Sequence, residues 1–414
     1  MKSTFLLLMG LCVPIGSLRA AEPASVTDAM LSRLRAEAIR SHPGVTAARL
    51  QAVAAARDVR AVRLWDDPMV GLMFMGADRE MRMDDGDIRV MLEQPLPKPG
   101  LFEANRAKAD AMRRAGNENA KTSSLAAGSM ATKNAIELAL ADESIRLQTE
   151  QIRWMKAMAD NARQRALNPD QTSVDALRLD SELAREEQIL ESAKRTRNSI
   201  AERLNLSLGR PLKNSWPALR LPSTPPPSPI GSAEVARIPR VNPRVLAMKE
   251  MVAAASAETR IADRERLPGV SLAVESSMYS GGDLRSASIG LKMNLPWFNE
   301  SSYQAKIDAS RLREKAATSD VDAMIREIAT EVLSIANDAA NAAAQARAYS
   351  GDVFTRSEAA TRTLETSWVS SKATLTDLLD ANRLLFSIRL EQRRYIAMQL
   401  SALEDLRVLV PTKH

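Results

Sequence analysis

Asp87-Ile88-Arg89-Val90-Met91-Leu92-Glu93 alternates without a break: Ile88, Val90 and Leu92 take one parity, Asp87, Arg89, Met91 and Glu93 the other. Successive side chains on a strand point to opposite faces, so this stretch predicts a strand with one oily and one charged side. The run before it, Met69 to Met75, puts Val70, Leu72 and Phe74 on one face. Further along, Val270, Leu272 and Val274 oppose Ser271, Ala273 and Glu275, and Ala287, Ile289, Leu291 and Met293 oppose Ser288, Gly290 and Lys292. Asp84-Asp85-Gly86 and Gly281-Gly282-Asp283 join each pair, giving β-hairpins over 68–95 and 268–295.

Four such strands cannot close on themselves. Their charged face calls for water, and an apolar face turned to lipid with a polar face on a lumen is the pattern of a transmembrane β-barrel. Strands of roughly 8 to 10 residues cross a bilayer when tilted. Lipid forbids free strand edges, so several chains must pool their strands into one barrel. The competing reading is a soluble sandwich that hides the greasy face against another layer.

Working outward, the chain repeats itself at a spacing of two hundred residues. Pro43 and Val45 recur as Pro243 and Val245, Ala54, Ala55 and Arg60 as Ala254, Ala255 and Arg260, and Pro68, Val70 and Leu72 as Pro268, Val270 and Leu272. With a small drift, Ala107-Lys108 matches Ala305-Lys306, and Asp175 and Leu177 match Asp377 and Leu379. One unit has been duplicated, so whatever it builds is built twice.

Each unit opens with a helical pattern. In the first, capped at Thr27 or Asp28, apolar residues recur at helical spacing to about Trp65, with a bend at Pro43; the copy spans roughly Ala233 to Arg266, bent at Pro243. After each hairpin a proline gate (Gln94 to Pro99; Asn294 to Phe298) precedes a very long helix, since no proline interrupts Gly100 to Asn168 or Trp297 to Val410. A helix from Leu101 to Arg165 would be about 97 Å long, and its return from Thr172 to Leu208 about 55 Å. Short helices stacked end to end beside each long one would balance the two columns. The organisation is thus a first repeat over 22–211, a proline-rich linker over 212–241 that resists helix and strand, a second repeat over 242–411, and a tail over 412–414.

The start of the chain stands apart. Lys2, an apolar run from Phe5 to Ile15, and the small residues before Glu22 read as a secretory signal peptide over 1–21. Cys12, the only cysteine, lies inside it, and its flank argues against lipidation, so no thiol site is expected in the mature chain. Aromatics at 4% and charged residues at 26% suit extended helices packed through small side chains. The net charge of +6 is spread over 57 basic and 51 acidic residues without a clustered run, which excludes a nucleic-acid partner. No stretch of about 18 apolar residues follows the signal, so no transmembrane helix is expected. With two histidines, no Ser-His-Asp arrangement and no phosphate loop, the chain reads as no enzyme and carries no cofactor.

This organisation resembles the TolC-type outer-membrane efflux ducts of Gram-negative bacteria, over essentially the whole mature chain. Length and the poor lipidation signal make it most similar to the outer-membrane components of heavy-metal RND efflux systems. The resemblance implies a mainly α fold with a small β part. Three chains would give a homotrimer with a 12-stranded barrel in outer-membrane lipid above an α-helical tunnel in the periplasm, working with a periplasmic adaptor and an inner-membrane pump. The sharpest local match is Trp368-Val369-Ser370-Ser371-Lys372-Ala373-Thr374-Leu375-Thr376-Asp377-Leu378-Leu379-Asp380-Ala381, the second helical turn. In the family this is the periplasmic tip, closed by an aromatic, a glycine, a basic residue and an Asp-x-x-Asp pair. Trp368 stands at the aromatic position, Asp377 and Asp380 at the acidic pair, and Asp175 at the first-repeat aspartate that helps latch the tip. The basic position falls on Ala373, with Lys372 adjacent, and the tip glycines are replaced by Asn168 and Ser370 or Ser371, which puts the family's salt-bridge latch in doubt.

Two further sets of residues invite a role. Met69, Met73, Met75 and Met91 fall on the face assigned to the lumen, and thioethers suit Cu(I) or Ag(I), although methionine also fills irregular apolar space. His42 takes the place of Asn242 in the repeat, ahead of the helix-bending proline, where capping is its expected part. The function expected is a passive exit duct for heavy-metal cations. The rivals are a duct for drugs or for type I secretion of polypeptides, and, from another class, a soluble periplasmic coiled-coil adaptor.

Overall fold

The computed structural model describes residues 24–75, 87–167, 173–227, 232–279 and 281–409. The expected signal peptide, the first hairpin's turn at 84–86 and the 412–414 tail lie outside these. In chain order the elements are β1 (Ala24–Ser25), α1 (Asp28–Ser41), α2 (Pro43–Ala61), β2 (Met69–Met75), β3 (Asp87–Pro95), α3 (Leu101–Arg165) and α4 (Val174–Ser207). They continue with β4 (Leu219–Arg220), α5 (Ser232–Val241), α6 (Pro243–Glu265), β5 (Val270–Tyr279), β6 (Leu284–Met293), a 3-10 turn over Pro296–Asn299, α7 (Glu300–Ser350), α8 (Asp352–Val369) and α9 (Leu375–Leu409). The same order of opening helices, hairpin, long helix and return helix occurs twice.

The two opening helices break where the prolines stand. His42 is extended, its Nδ1 accepts the Gly44 N–H at 3.1 Å, and Pro43 begins α2. Asn242 does the same for α6, accepting the Arg244 N–H at 2.9 Å ahead of Pro243. A proline in the first helical turn loses no hydrogen bond, so the bend expected from sequence is a capped restart. Three expectations need correction. The first opening helix ends at Ala61 rather than near Trp65, because Asp66-Asp67-Pro68 draws the chain out of helix ahead of β2. The expected linker over 212–241 holds a strand, β4, pairing with β1, and ends in the helix α5. That helix forms despite Pro239 because Ile238 is buried with Val245, Ile328, Val332 and Leu406, and burial of this kind outweighs propensity. The long second-repeat helix is split at Gly351, which has the poorest helix propensity of any residue but proline.

Lengths balance as the two-column reading requires. α3 has 65 residues and is about 97 Å long, while α4, with 34, is about 51 Å. α1 and α2, with 14 and 19 residues, supply about 50 Å more beside it. Small side chains let these columns approach: Ala127, Ala131, Ala135 and Ala139 recur every fourth residue along the buried seam of α3. At the middle of the column a Cβ on Gly128 would lie 2.5 Å from Cγ of Arg35, so only glycine lets Arg35 pass. Arg35 then reaches buried Glu404 of α9 at 2.6 Å, and Arg407 joins Glu404 and Asp28 at 2.7 Å each, tying the first repeat to the second.

The strands form one antiparallel sheet in the order β2-β3-β5-β6. The helices next to the sheet follow that order, since α2 packs on α3, α3 on α6 and α6 on α7. Both layers therefore end at the same two flanks: β2 with α2, and β6 with α7. Register places Val70, Leu92, Val274 and Ile289 in one cross-strand row, and Leu72, Val90, Ser276 and Ala287 in the next. Among the described residues nothing covers that face; Leu72 is 76% exposed and Ile289 73%. Of the described residues, no helix is long and apolar enough to cross a membrane.

Candidate functional site at the helical tip and the strand lumen face

At the far end from the sheet, α8 stops at Val369 and the chain turns through five residues into α9 at Leu375. Ser371 carries a positive φ of 58°, which a non-glycine residue adopts at some cost. The turn is closed by the Lys372 N–H on the Ser367 carbonyl at 2.7 Å and the Ser371 N–H on the Trp368 carbonyl at 3.0 Å, satisfying carbonyls the helix end leaves free. Thr374 caps α9: its Oγ1 accepts the Asp377 N–H at 3.2 Å and donates to Asp377 Oδ2 at 2.6 Å.

Trp368 is the anchor of this end. It is fully buried with Met158, Ala162, Leu179, Leu375 and Leu378, a cluster drawn from both helical hairpins. Its indole N–H donates to Asp175 Oδ2 at 3.3 Å, a contact between the two repeats within one chain that the sequence did not point to. Asp377 and Asp380 share a helix face and both are exposed, but each has a local partner: Asp377 is held by Thr374, and Asp380 accepts from Arg383 at 3.3 Å. Lys372 is exposed, Ala373 packs on the buried cluster, and Asn168 lies outside the described residues.

Sequence reasoning missed the cations that join the two hairpins. Arg165, at the end of α3, donates to the Trp368 carbonyl and to Ser371 Oγ at 2.8 Å each, with its guanidinium 4.9 Å from the Trp368 ring centroid. Arg178 donates to Thr376 Oγ1 at 2.9 Å, and Arg383 reaches Glu182 at 2.8 Å. The available signal was only a basic residue on a helix near the turn, and such residues are too common on this chain to single out.

On the charged face of the sheet, Arg89 pairs with Glu275 at 2.8 Å and Lys292 with Glu93 at 2.7 Å. Ser271 Oγ also donates to Glu93 at 2.6 Å, so these charges are partnered within the sheet. The four methionines do lie on it, but the strand pairing sets none of them directly opposite another. Met69 pairs with Glu93, Met73 with Arg89, Met75 with Asp87, and Met91 with Gly71. Met91 Sδ accepts from the Lys292 ammonium at 3.2 Å, a neighbour that opposes a soft cation. Among the described residues no group of three or more His, Cys, Asp or Glu side chains is placed to hold a metal.

Residues 240–410 match the family described as outer membrane efflux protein. No curated protein sequence matches the chain. Solved structures extend the fold over nearly all of it. A CusC structure aligns with a TM-score of 0.80 at 15% identity, covering 93% of this chain and 92% of that one. The outer membrane protein VceC of Vibrio cholerae aligns at 0.76 and 16% identity, covering 92% and 96%. The open state of the MtrE outer membrane channel of Neisseria gonorrhoeae aligns at 0.76 and 19% identity, covering 92% and 88%. Over nearly its whole length the chain therefore shares the TolC-like fold of these outer-membrane channels.

Proposed function

We propose that three copies of this chain form an outer-membrane exit duct. The sheets close into a twelve-stranded barrel, and the helices extend as a tunnel into the periplasm, after export directed by residues 1–21. The single observation that carries this reading is the uncovered apolar sheet face bounded by two open flanks. β2 and β6 run antiparallel when one copy follows another, so the strands of three copies close without an unpaired edge. α2 and α7 expose Leu50, Val53 and Leu312, apolar surface in the part of the column where the next copy would pack. A soluble adaptor would have no use for the naked sheet face.

The duct is a conduit rather than an enzyme. Energy and selection come from an inner-membrane RND-type pump, reached through a periplasmic adaptor, and the tip around Trp368, Asp175, Asp377 and Asp380 is its gate. For the cargo, heavy-metal cations are the reading supported by the thioethers of Met69, Met73 and Met75, exposed on the lumen face. Drugs or secreted polypeptides are the competing cargo. The purified mature protein should be a trimer requiring detergent and should form pores in planar bilayers; a monomer soluble without detergent would overturn the duct. Sensitivity of a deletion strain to copper and silver salts, against a drug panel, decides the cargo.

A further inference from the structure

Midway along the column, the two sides of α9 differ. Arg393, Ile396, Gln399 and Glu404 form one stripe of this helix, and the rest of the chain covers it. Arg393 and Gln399 donate to the carbonyls of Pro222 and Pro226 at 3.2 and 2.6 Å, Ile396 is buried with Val26 and Leu31, and Glu404 takes Arg35 of α1. Arg394, Met398, Ser401 and Asp405 recur at the same helical spacing on the opposite side. There α3 and α7 rise on either flank of α9 and enclose an open cleft of about 780 Å³. Leu140, Ile335, Tyr395 and Met398 give it apolar walls, and the Tyr395 ring is backed by Tyr349, with centroids 5.6 Å apart. Its rim charges are paired, Lys133 with Asp405 at 2.9 Å, Glu137 with Arg203 at 2.6 Å and Arg394 with Glu391 at 2.6 Å. Asp338 is the exception: it is exposed and has no hydrogen bond or ion pair among the described residues.

We propose that this cleft is a binding site for an organic cation with a bulky apolar body, of the quaternary ammonium or phosphonium type. Its size and its mainly apolar walls with a few polar groups are those of a small-molecule site. The body lies on Leu140, Ile335 and Met398, where an unbranched thioether adapts to varied shapes. The cationic centre turns to the Asp338 carboxylate, and the Tyr395 ring adds the attraction of its face. Each feature excludes other ligands. An anion meets the unpaired carboxylate, and a bare metal ion finds no group of three ligating side chains. The position of the cleft on the lumen rests on the duct reading. Three linkers and three α1 helices have room only outside a tunnel, so the opposite side of α9 looks inward. All walls belong to one chain, so each trimer carries three such sites.

The test is equilibrium dialysis of the purified mature protein against tetraphenylphosphonium, with detergent alone subtracted. Tetraphenylborate, of the same shape and opposite charge, and tetramethylammonium, which lacks the apolar body, are the comparison probes. Wild type should bind tetraphenylphosphonium saturably, at one per chain, and neither comparison probe. D338N should weaken binding roughly fivefold, as for loss of one partly exposed charge pair, and D338E should restore it. A402F, which fills the cleft, should weaken binding tenfold or more; if A402F does not assemble, D338N and D338E decide. Equal binding of tetraphenylborate, or unchanged binding by D338N, overturns the site. A trimer that conducts in planar bilayers but binds no tetraphenylphosphonium sinks the site alone and leaves the duct standing. A monomer soluble without detergent sinks the duct reading and the lumen position, and its binding of tetraphenylphosphonium, lost in D338N, would still uphold the cleft as the site.

Discussion

Leu72 is the residue on which the membrane reading can be tested most directly. It is central in β2, three quarters exposed, and lies in the row with Val90, Ser276 and Ala287 on the uncovered face. If that face meets acyl chains, Leu72→Arg places a guanidinium near mid-bilayer at a cost of about 2–4 kcal/mol per copy. Because one copy sits in each protomer, a trimeric barrel carries it three times, about 6–12 kcal/mol in all. That is comparable with the whole stability of a typical domain, so trimers should not survive in lipid. The control is Ser288→Arg, on the same sheet but the opposite face, across from Glu275, where an added cation meets a carboxylate and water. The assay is insertion into liposomes, read as protease-resistant, heat-modifiable trimer on gels. Loss for Leu72→Arg with retention for Ser288→Arg is expected. Equal insertion of both variants would refute the assignment of faces, and a Leu72→Arg protein that became more soluble and stayed monomeric would favour the adaptor.

Four further outcomes are expected. Leu312→Asp on the open flank of α7 should weaken the trimer by about 2 kcal/mol for each lost apolar contact, seen as dissociation at lower detergent-solubilised concentration. Replacing Asp377 and Asp380 with alanine should change ion conductance or cation block of the pore, since six exposed carboxylates per trimer leave the tip; unchanged currents count against their place at the gate. Gly128→Ala should cost about 1–3 kcal/mol, because the new Cβ displaces Arg35 and leaves buried Glu404 with one arginine fewer, lowering the thermal midpoint. Arg210 beside Glu37 holds that carboxyl below its usual range, through their hydrogen bonds first and its charge second. A depressed carboxylate contributes stability above the ordinary glutamate range and loses it as pH falls through its folded value, so wild type should lose thermal stability in acid more steeply than Glu37→Gln.

Much of the fold was legible because periodicity reports burial directly. The alternation of Ile88, Val90 and Leu92 named a face, and the register of β3 against β2 and β5 left that face uncovered. α3 begins at Leu101 and ends at Arg165, as the absence of proline between Gly100 and Asn168 implied. The misses share a cause. Gly351 splits a helix, and Pro239 fails to prevent one, because single residues of poor propensity are overruled or obeyed according to what they pack against, and that is not written locally. Ile238 carries the decision for α5 from a cluster whose other members lie up to 171 residues away.

The tip was legible in its aromatic and acidic members and illegible in its arginines, and the asymmetry has a physical reason. Trp368 and the Asp377–Asp380 pair flank a turn whose composition departs from the surrounding helices, and Asp175 opens α4 at the matching place of the first repeat. Arg165, Arg178 and Arg383 are helix residues among many others of the same kind, and their partners come from the opposite hairpin, roughly two hundred residues away in the chain. A duplicated chain makes such pairings systematic: each hairpin end meets its own copy, so donors on one repeat find acceptors on the other. The contacts that join the tip are therefore distributed across a seam between the two repeats.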